Sequence, residues 1–179
     1  MVKKKIKSMK KIEEALTIYH KFKEAKVQDN HMDGFEKVFR DLLPEKYELR
    51  KNLAIQETPQ RKKRWDYSVW ENSKLKGVIE LKSLGKSADK NINNRQEEAV
   101  GCAMLMKAGQ PSVKRSYFLI GDVLKEGTKE RFKTFFQLCI DEVFYHSVGS
   151  LLLDATGNYT SFERFSVNDK YFVRHCYSL

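Results

Sequence analysis

The stretch WDYSVWENSKLKGVIELKS, residues 65–83, contains two strand-like segments that are separated by a short polar turn. Apolar and polar residues alternate over residues 65–70, and residues 77–83 are mostly apolar; both patterns favour β-strands. The turn lies at residues 71–73, where Glu, Asn and Ser follow one another. We therefore predict an antiparallel hairpin that places the two segments side by side in one sheet.

Helix-like and strand-like segments alternate on both sides of this hairpin. The predicted helices cover residues 9–26, 32–43, 94–108, 128–146 and 168–178, and the other predicted strands cover residues 47–55, 116–122 and 148–153. Asn93 or Asn94 is the expected N-cap of the third helix, because asparagine favours that position. The alternation predicts an α/β fold in which a mixed sheet is sandwiched between helices.

Length and composition predict one domain with a basic surface. Of the 179 residues, 41% are hydrophobic, which is enough to bury a core, and we assign this domain to residues 12–179. Lys and Arg total 34 against 24 Asp and Glu, and the resulting net charge of +10 favours an anionic partner. The lysine-rich residues 1–11 are expected to form a flexible tail.

Cysteine usage and hydropathy point to a reducing compartment and to no membrane. The three cysteines are widely spaced without a C-x-x-C pair, so neither a disulfide framework nor a zinc site is expected. Reduced thiols indicate a cytoplasmic protein. We find no apolar run of about 18 residues and no signal-peptide pattern, so we expect neither a membrane span nor a leader.

The hairpin carries an acidic and basic set that suits phosphodiester hydrolysis. Asp66 lies in the first predicted strand, and Glu80 and Lys82 share one face of the second, because strand side chains alternate. Carboxylates on adjacent strands can hold Mg²⁺, which neutralises phosphate charge and activates water. Lys82 would orient or help deprotonate that water, or steady the pentacoordinate phosphate. Spacing alone favours the alternative of a surface Asp and an ordinary cross-strand Glu–Lys pair, and the neighbouring basic run and the apolar strand around Glu80 and Lys82 bring the metal site level with it.

The pattern Asp66…Glu80-Leu81-Lys82 resembles the PD-(D/E)xK nuclease superfamily. Further segments narrow the resemblance to the XhoI family of type II restriction endonucleases: HMDGFEKVFRDLL (31–43), KRWDYSVW (63–70), and ELKS followed by NNRQEEAVGCA (80–83, 93–103). The resemblance covers about residues 28–179. Trp65 stands where the superfamily has its proline, and the loop over residues 84–92 lacks the expected glycine-rich segment, which puts the target sequence in doubt.

The resemblance implies a restriction-endonuclease-like, three-layer α-β-α fold and a homodimer that cuts double-stranded DNA at a short palindrome of the CTCGAG type. It implies Mg²⁺, with Mn²⁺ as an alternative, and a DNA methyltransferase that acts separately. Asp66, Glu80 and Leu81 are the candidate metal ligands, and Lys82 is the catalytic lysine. Glu36 matches an acid of the early helix that assists a metal or its water; an ordinary surface glutamate is the alternative.

Several basic and amide side chains are candidates for DNA contact, where they would bind phosphates or base edges. They are Arg61, Lys62, Lys63, Arg64, Lys86, Lys90, Asn94 and Arg95. Solvated loops are the alternative for the basic residues, and helix capping is the favoured alternative for Asn94. Two other functions remain open: a structure-directed repair or recombination nuclease such as a junction resolvase, and a DNA-binding module without catalysis.

Overall fold

The structure, a computed structural model, describes residues 12–21, 32–84, 88–122, 124–153, 156 and 159–165. Its helices are α1 (residues 12–21), α2 (Gly34–Leu42), α3 (Ala88–Gly109) and α4 (Glu126–Asp141). Its strands are β1 (Glu48–Lys51), β2 (Ala54–Thr58), β3 (Arg61–Arg64), β4 (Tyr67–Glu71), β5 (Lys74–Leu84), β6 (Lys114–Gly121), β7 (Ser147–Leu153) and β8 (Tyr159–Phe165).

A six-stranded mixed sheet in the order β1-β4-β5-β6-β7-β8 forms the centre of the molecule. The pairs β5–β6 and β6–β7 are parallel, while β1–β4, β4–β5 and β7–β8 are antiparallel. Strands β2 and β3 form a separate antiparallel pair. The predicted hairpin is therefore present as β4 and β5, with Tyr67 opposite Ile79.

Helices cover both faces of the central sheet. On one face, Phe35 and Phe39 pack among strand residues, and the ring centroids of Phe39 and Phe118 are 5.1 Å apart. On the other face, Phe136 of α4 packs against Tyr117 of β6, with ring centroids 6.1 Å apart. Burying such side chains stabilises the fold by about 1.5–3 kcal/mol each. The predicted α/β class, with a mixed sheet between helices, is confirmed.

Helix α3 begins earlier than the sequence indicated. It starts at Ala88, so Asn93 and Asn94 lie inside the helix and the predicted N-cap at these residues is wrong. Among residues 90–94 only Ile92 is buried. One apolar residue in this first part of the helix leaves no helical periodicity to detect, and only packing against the core reveals it.

Helix α4 ends earlier than predicted, at Asp141 rather than residue 146. Val143 adopts φ 53°, a left-handed conformation. The amides of Val143 and Phe144 donate to the carbonyls of Ile140 and Cys139, the bonding pattern of a Schellman C-terminus. Glycine usually signals this ending, and its absence here explains the error.

Other expectations concern the ends of the chain. Residues 159–165 form the edge strand β8, which was not predicted. The predicted tail at residues 1–11 and the predicted helix at residues 168–178 lie outside the described residues. Within the described part of the chain, no helix is both long and apolar enough to cross a membrane.

Candidate active site

Glu80 and Lys82 lie on one face of β5, as the alternation predicted. The side chain of Glu80 is 4% exposed and that of Lys82 is 21% exposed. Ile79 and Leu81 point to the opposite face, where they join the core formed with α1 and α2. The strand thus presents an acid and a base towards the α3 side of the sheet without disturbing its apolar side.

Asp66 reaches β5 from a bend, rather than from within a strand as predicted. It lies between β3 and β4, and its main-chain carbonyl accepts a hydrogen bond from the Asn52 amide at 2.9 Å. Its Oδ2 accepts a hydrogen bond from the amide of Leu81 at 2.7 Å. This bond fixes the Asp66 carboxylate beside the β5 segment that carries Glu80 and Lys82.

The Asp66 carboxylate lies in an environment that disfavours its charge. Burial, followed by the negative charge of Glu80, raises the pKa of Asp66 from 3.8 to about 6, against the opposing effects of the Leu81 amide and of Lys82 and Lys63. Two neighbouring carboxylates in a partly desolvated site repel one another, and a cation between them would remove that penalty.

Two lysines neutralise Glu80 through the same oxygen. The Nζ atoms of Lys82 and Lys63 lie 2.6 Å and 3.0 Å from Glu80 Oε1. Burial lowers the pKa of Lys82, but its contacts with Glu80 and Glu98 outweigh burial and raise it overall. Lys82 is therefore protonated at neutral pH in this arrangement and acts as a hydrogen-bond donor rather than a base.

Lys82 also has a second acidic partner, on α3. Its Nζ lies 3.1 Å from Glu98 Oε1, while Glu98 Oε2 accepts a hydrogen bond from Arg95 at 2.7 Å. Glu98 was not predicted as a site residue. It lies within the segment NNRQEEAVGCA that carries the family resemblance, but its contact with Lys82 depends on how α3 packs against β5.

The donor set suits a hard divalent cation. Glu80 Oε2 is buried and has no hydrogen-bond partner among the described residues, and the Asp66 carboxylate is near enough to interact electrostatically with Glu80. Within the described ranges, no group of three or more His, Cys, Asp or Glu residues could hold a metal ion. A cation here would therefore have two carboxylates as its acidic ligands, together with carbonyl oxygens and waters, as is common for Mg²⁺.

A cavity of about 310 Å³ adjoins Asp66 and Lys82, and Glu80 is not among the residues that line it. Its lining combines acidic, basic and apolar residues: Met32, Asp33, Lys51, Asn52, Asp66, Tyr67, Leu81, Lys82, Ser83 and Arg95. This volume is about ten times that of a water molecule. A phosphate group with its surrounding waters therefore fits beside Asp66 and Lys82.

Comparison with known proteins identifies the family. A sequence model described as restriction endonuclease XhoI matches residues 19–110, which is 92 of the 179 residues. The chain belongs to the XhoI restriction endonuclease family. The matched range includes all the residues that line the cavity.

A curated relative supports the same assignment over a shorter stretch. The chain is 44% identical over 55 residues to the type II restriction enzyme XhoI of Xanthomonas vasicola, a stretch that is 30% of this chain. It spans 22% of the relative's length, so the chain matches less than a quarter of that enzyme. No solved structure matches this XhoI-family chain.

The early acidic segment of the XhoI-family match contributes Asp33 to the cavity rather than Glu36. Asp33 lines the cavity and forms an ion pair with Lys51. Glu36 pairs with Arg40 at 2.7 Å and does not line the cavity. Burial, then the charges of Glu36 and Asp33, raise the pKa of Tyr67, so both acids lie near its hydroxyl. The sequence motif marks the segment but not which of its acids faces the site.

The basic candidates separate into exposed and inward-facing groups. Arg61, Lys62 and Arg64 are exposed on β3, which is a strand and not a solvated loop. Lys63 of the same strand turns inward and its side chain is 14% exposed. The other candidates divide further: Lys90 and Asn94 are exposed on α3, Arg95 is half-buried at the cavity, and Lys86 lies outside the described residues.

Proposed function

We propose that this XhoI-family protein is an endonuclease that hydrolyses phosphodiester bonds in double-stranded DNA with the help of a divalent cation. One arrangement carries the proposal. The Asp66 carboxylate accepts a hydrogen bond from Leu81 and interacts electrostatically with buried Glu80, whose Oε2 has no partner among the described residues and whose Oε1 contacts Lys82. Asp66, Leu81 and Lys82 line a cavity that Arg95 also lines.

In the proposed mechanism Asp66 and Glu80 hold Mg²⁺, with Mn²⁺ as an alternative, and the carbonyl oxygen of Leu81 is the third candidate ligand. When bound, the cation supplies charge neutralisation at the phosphate and a water of lowered pKa. Protonated Lys82 donates a hydrogen bond to the attacking water or to a phosphate oxygen. Glu98 keeps Lys82 at the cavity when its contact with Glu80 is released.

Phosphates outside the cavity would be bound by the exposed basic residues. Arg61, Lys62 and Arg64 present three cationic side chains on one short strand. Lys86 and Lys90 are further candidates for such contacts, Arg95 would contact a phosphate within the cavity, and Asn94 is a candidate for a base edge. Each phosphate contact makes binding weaker as salt concentration rises.

Membership of the family supports proposals about the target sequence, the oligomeric state and a partner enzyme. We propose cleavage at a short palindrome of the CTCGAG type by a cytoplasmic homodimer, because twofold protein symmetry matches twofold DNA symmetry. A separate methyltransferase would protect host DNA. We also propose that residues 12–179 form a single nuclease domain, that residues 1–11 form a basic tail, and that Glu36 acts only indirectly.

The test is incubation of the purified protein with several plasmids and MgCl₂. We expect discrete fragments that disappear with EDTA and with Lys82→Ala, while Lys37→Ala, an exposed change on α2, cuts normally. Lys82→Ala should still bind DNA. Absence of fragments across many substrates would contradict the proposal, cleavage of four-way junctions alone would favour a junction resolvase, and binding without cutting would favour a non-catalytic module.

A further inference from the structure

A lysine from the small β2–β3 sheet contacts Glu80 in addition to Lys82. Lys63 Nζ lies 3.0 Å from Glu80 Oε1, and its side chain is 14% exposed. The neighbouring basic residues Arg61, Lys62 and Arg64 are exposed. Lys63 is thus the one basic residue of β3 that the strand turns towards the site.

The surroundings of Lys63 do not suit a DNA contact. Its Nζ lies 4.9 Å from the ring centroid of Trp65, which is fully buried. Glu57, another buried carboxylate, lies on the paired strand β2, and its Oε2 forms an ion pair with Nε of Arg61 at 3.0 Å. Desolvating a lysine costs several kcal/mol unless a fixed partner compensates, and Glu80 is that partner.

Lys63 and Lys82 differ in the number of carboxylates with which each can form an ion pair. Lys82 can exchange Glu80 for Glu98, whose Oε1 is 3.1 Å from its Nζ. Within the described part of the chain, Lys63 has no carboxylate other than Glu80 within ion-pair distance. When Lys82 turns to the substrate, Lys63 therefore remains on Glu80 Oε1.

We propose that Lys63 is a positioning residue that holds Glu80 by Oε1 and thereby keeps Oε2 available to a divalent cation beside Asp66. The inference rests on the proposed function, because it needs a cation at Asp66 and Glu80. It assigns Lys63 to the metal centre rather than to the DNA backbone.

The test measures Mn²⁺ binding to the full chain without DNA, from the loss of the free-ion electron paramagnetic resonance signal. Removing a positive charge near two carboxylates would by itself strengthen cation binding, so the sign of the change is informative. Positioning predicts that Lys63→Met binds Mn²⁺ about tenfold more weakly, a loss typical of residues that orient metal ligands. Equal or tighter binding would overturn the proposal. Lys37→Met, a charge-matched surface variant, should bind as the wild type does.

DNA binding in EDTA provides a second readout. Lys63→Met should leave the DNA affinity and its salt dependence unchanged, whereas Lys62→Met should weaken both. A weaker affinity and a smaller salt slope in Lys63→Met would make Lys63 a phosphate contact and overturn the proposal.

Further variants cover two cases: a Lys63→Met protein that does not fold, and failure of the proposed metal site itself. If Lys63→Met does not fold, two other variants replace it. Lys63→Arg should bind Mn²⁺ within about threefold of wild type, and Lys63→Gln should bind it about tenfold more weakly. Equal Mn²⁺ affinities of these two variants would overturn the proposal. Glu80→Gln separates the two hypotheses. If the wild type binds no Mn²⁺, or Glu80→Gln binds it equally well, the proposed metal site itself fails, together with the role of Lys63.

Discussion

Replacing Asp66 with asparagine should stabilise the protein in EDTA at neutral pH while removing its proposed cation site. Burial and the charge of Glu80 raise the pKa of Asp66 from 3.8 to about 6, although Lys82, Lys63 and the Leu81 amide favour the charged form. Holding this carboxylate ionised at pH 7 therefore costs about 3 kcal/mol. Asparagine Oδ1 can still accept the Leu81 hydrogen bond. Because the pKa of about 6 already includes the Leu81 bond to the charged carboxylate, we expect a gain in the free energy of unfolding of at most about 3 kcal/mol.

The gain in stability from Asp66→Asn should decrease as the pH falls. Because the folded-state pKa of Asp66 lies above the unfolded-state value, the folded protein binds this proton more tightly between pH 3.8 and about 6. Its contribution to stability is fully present below that window and is lost as pH rises through it. At pH 4.5 the advantage of Asp66→Asn should fall to about one third of its value at pH 7.

Urea unfolding in EDTA at pH 7 and pH 4.5 measures both the gain in the free energy of unfolding of Asp66→Asn and its decrease at low pH. The exposed Glu45→Gln variant is a control for the loss of a surface carboxylate, and its free energy of unfolding should change by less than about 0.5 kcal/mol. Adding Mg²⁺ should stabilise the wild type and not Asp66→Asn. An Asp66→Asn protein that is less stable than wild type at pH 7, or whose difference does not vary with pH, would refute the reasoning.

Three other substitutions test the fold and the DNA surface. Gly109→Ala would place a Cβ 1.6 Å from the main-chain oxygen of Glu57. It should therefore lower the free energy of unfolding, measured in urea melts, by more than about 3 kcal/mol. An unchanged free energy of unfolding would contradict this packing of α3 on β2. Phe118→Ala should cost about 3–5 kcal/mol, because it removes the ring packed on Phe39 and leaves a cavity; a loss below about 1 kcal/mol would show a loosely packed core. Lys62→Ala should reduce the salt slope of DNA binding by about 1, and an unchanged slope would exclude a phosphate contact.

The hairpin and its site residues could be predicted because they depend on local sequence. A short polar turn sets the pairing of β4 with β5, and the alternation of side chains then fixes Glu80 and Lys82 on one face. Asp66 was placed beside them for the same reason. Its actual position in a bend, fixed by the amide of Leu81, depends on a side-chain contact that the pattern does not encode.

The inward position of Lys63 could not be predicted from the sequence. The segment RKKR has no apolar residue, so no periodicity distinguishes one side chain from the next. Pairing with β2 and the buried ring of Trp65 decide which lysine turns inward, and both are tertiary effects. The choice between Asp33 and Glu36 likewise depends on where α2 begins relative to the cavity.

The charges around the site alternate in sign between β3 and α3. The order of successive ion-paired residues is Lys63, Glu80, Lys82, Glu98 and Arg95. Each member contacts an opposite charge, which is how buried ionised groups are tolerated. Asp66 does not belong to this series, since its carboxylate accepts a hydrogen bond from the neutral amide of Leu81.

This difference predicts that the two candidate metal ligands affect stability in opposite directions. Asp66→Asn removes the excess charge, whereas Glu80→Gln leaves Lys63 and Lys82 facing each other without their shared partner. Breaking a buried ion pair from one side costs more than the pair itself contributes. Glu80→Gln should therefore lower the free energy of unfolding in EDTA by about 1–3 kcal/mol. The decrease should be at the lower end of this range if Glu98 keeps its ion pair with Lys82. The same urea melts compare both variants. If they shift stability in the same direction, the two carboxylates share one electrostatic environment, and the distinction between a neutralised Glu80 and an uncompensated Asp66 is wrong.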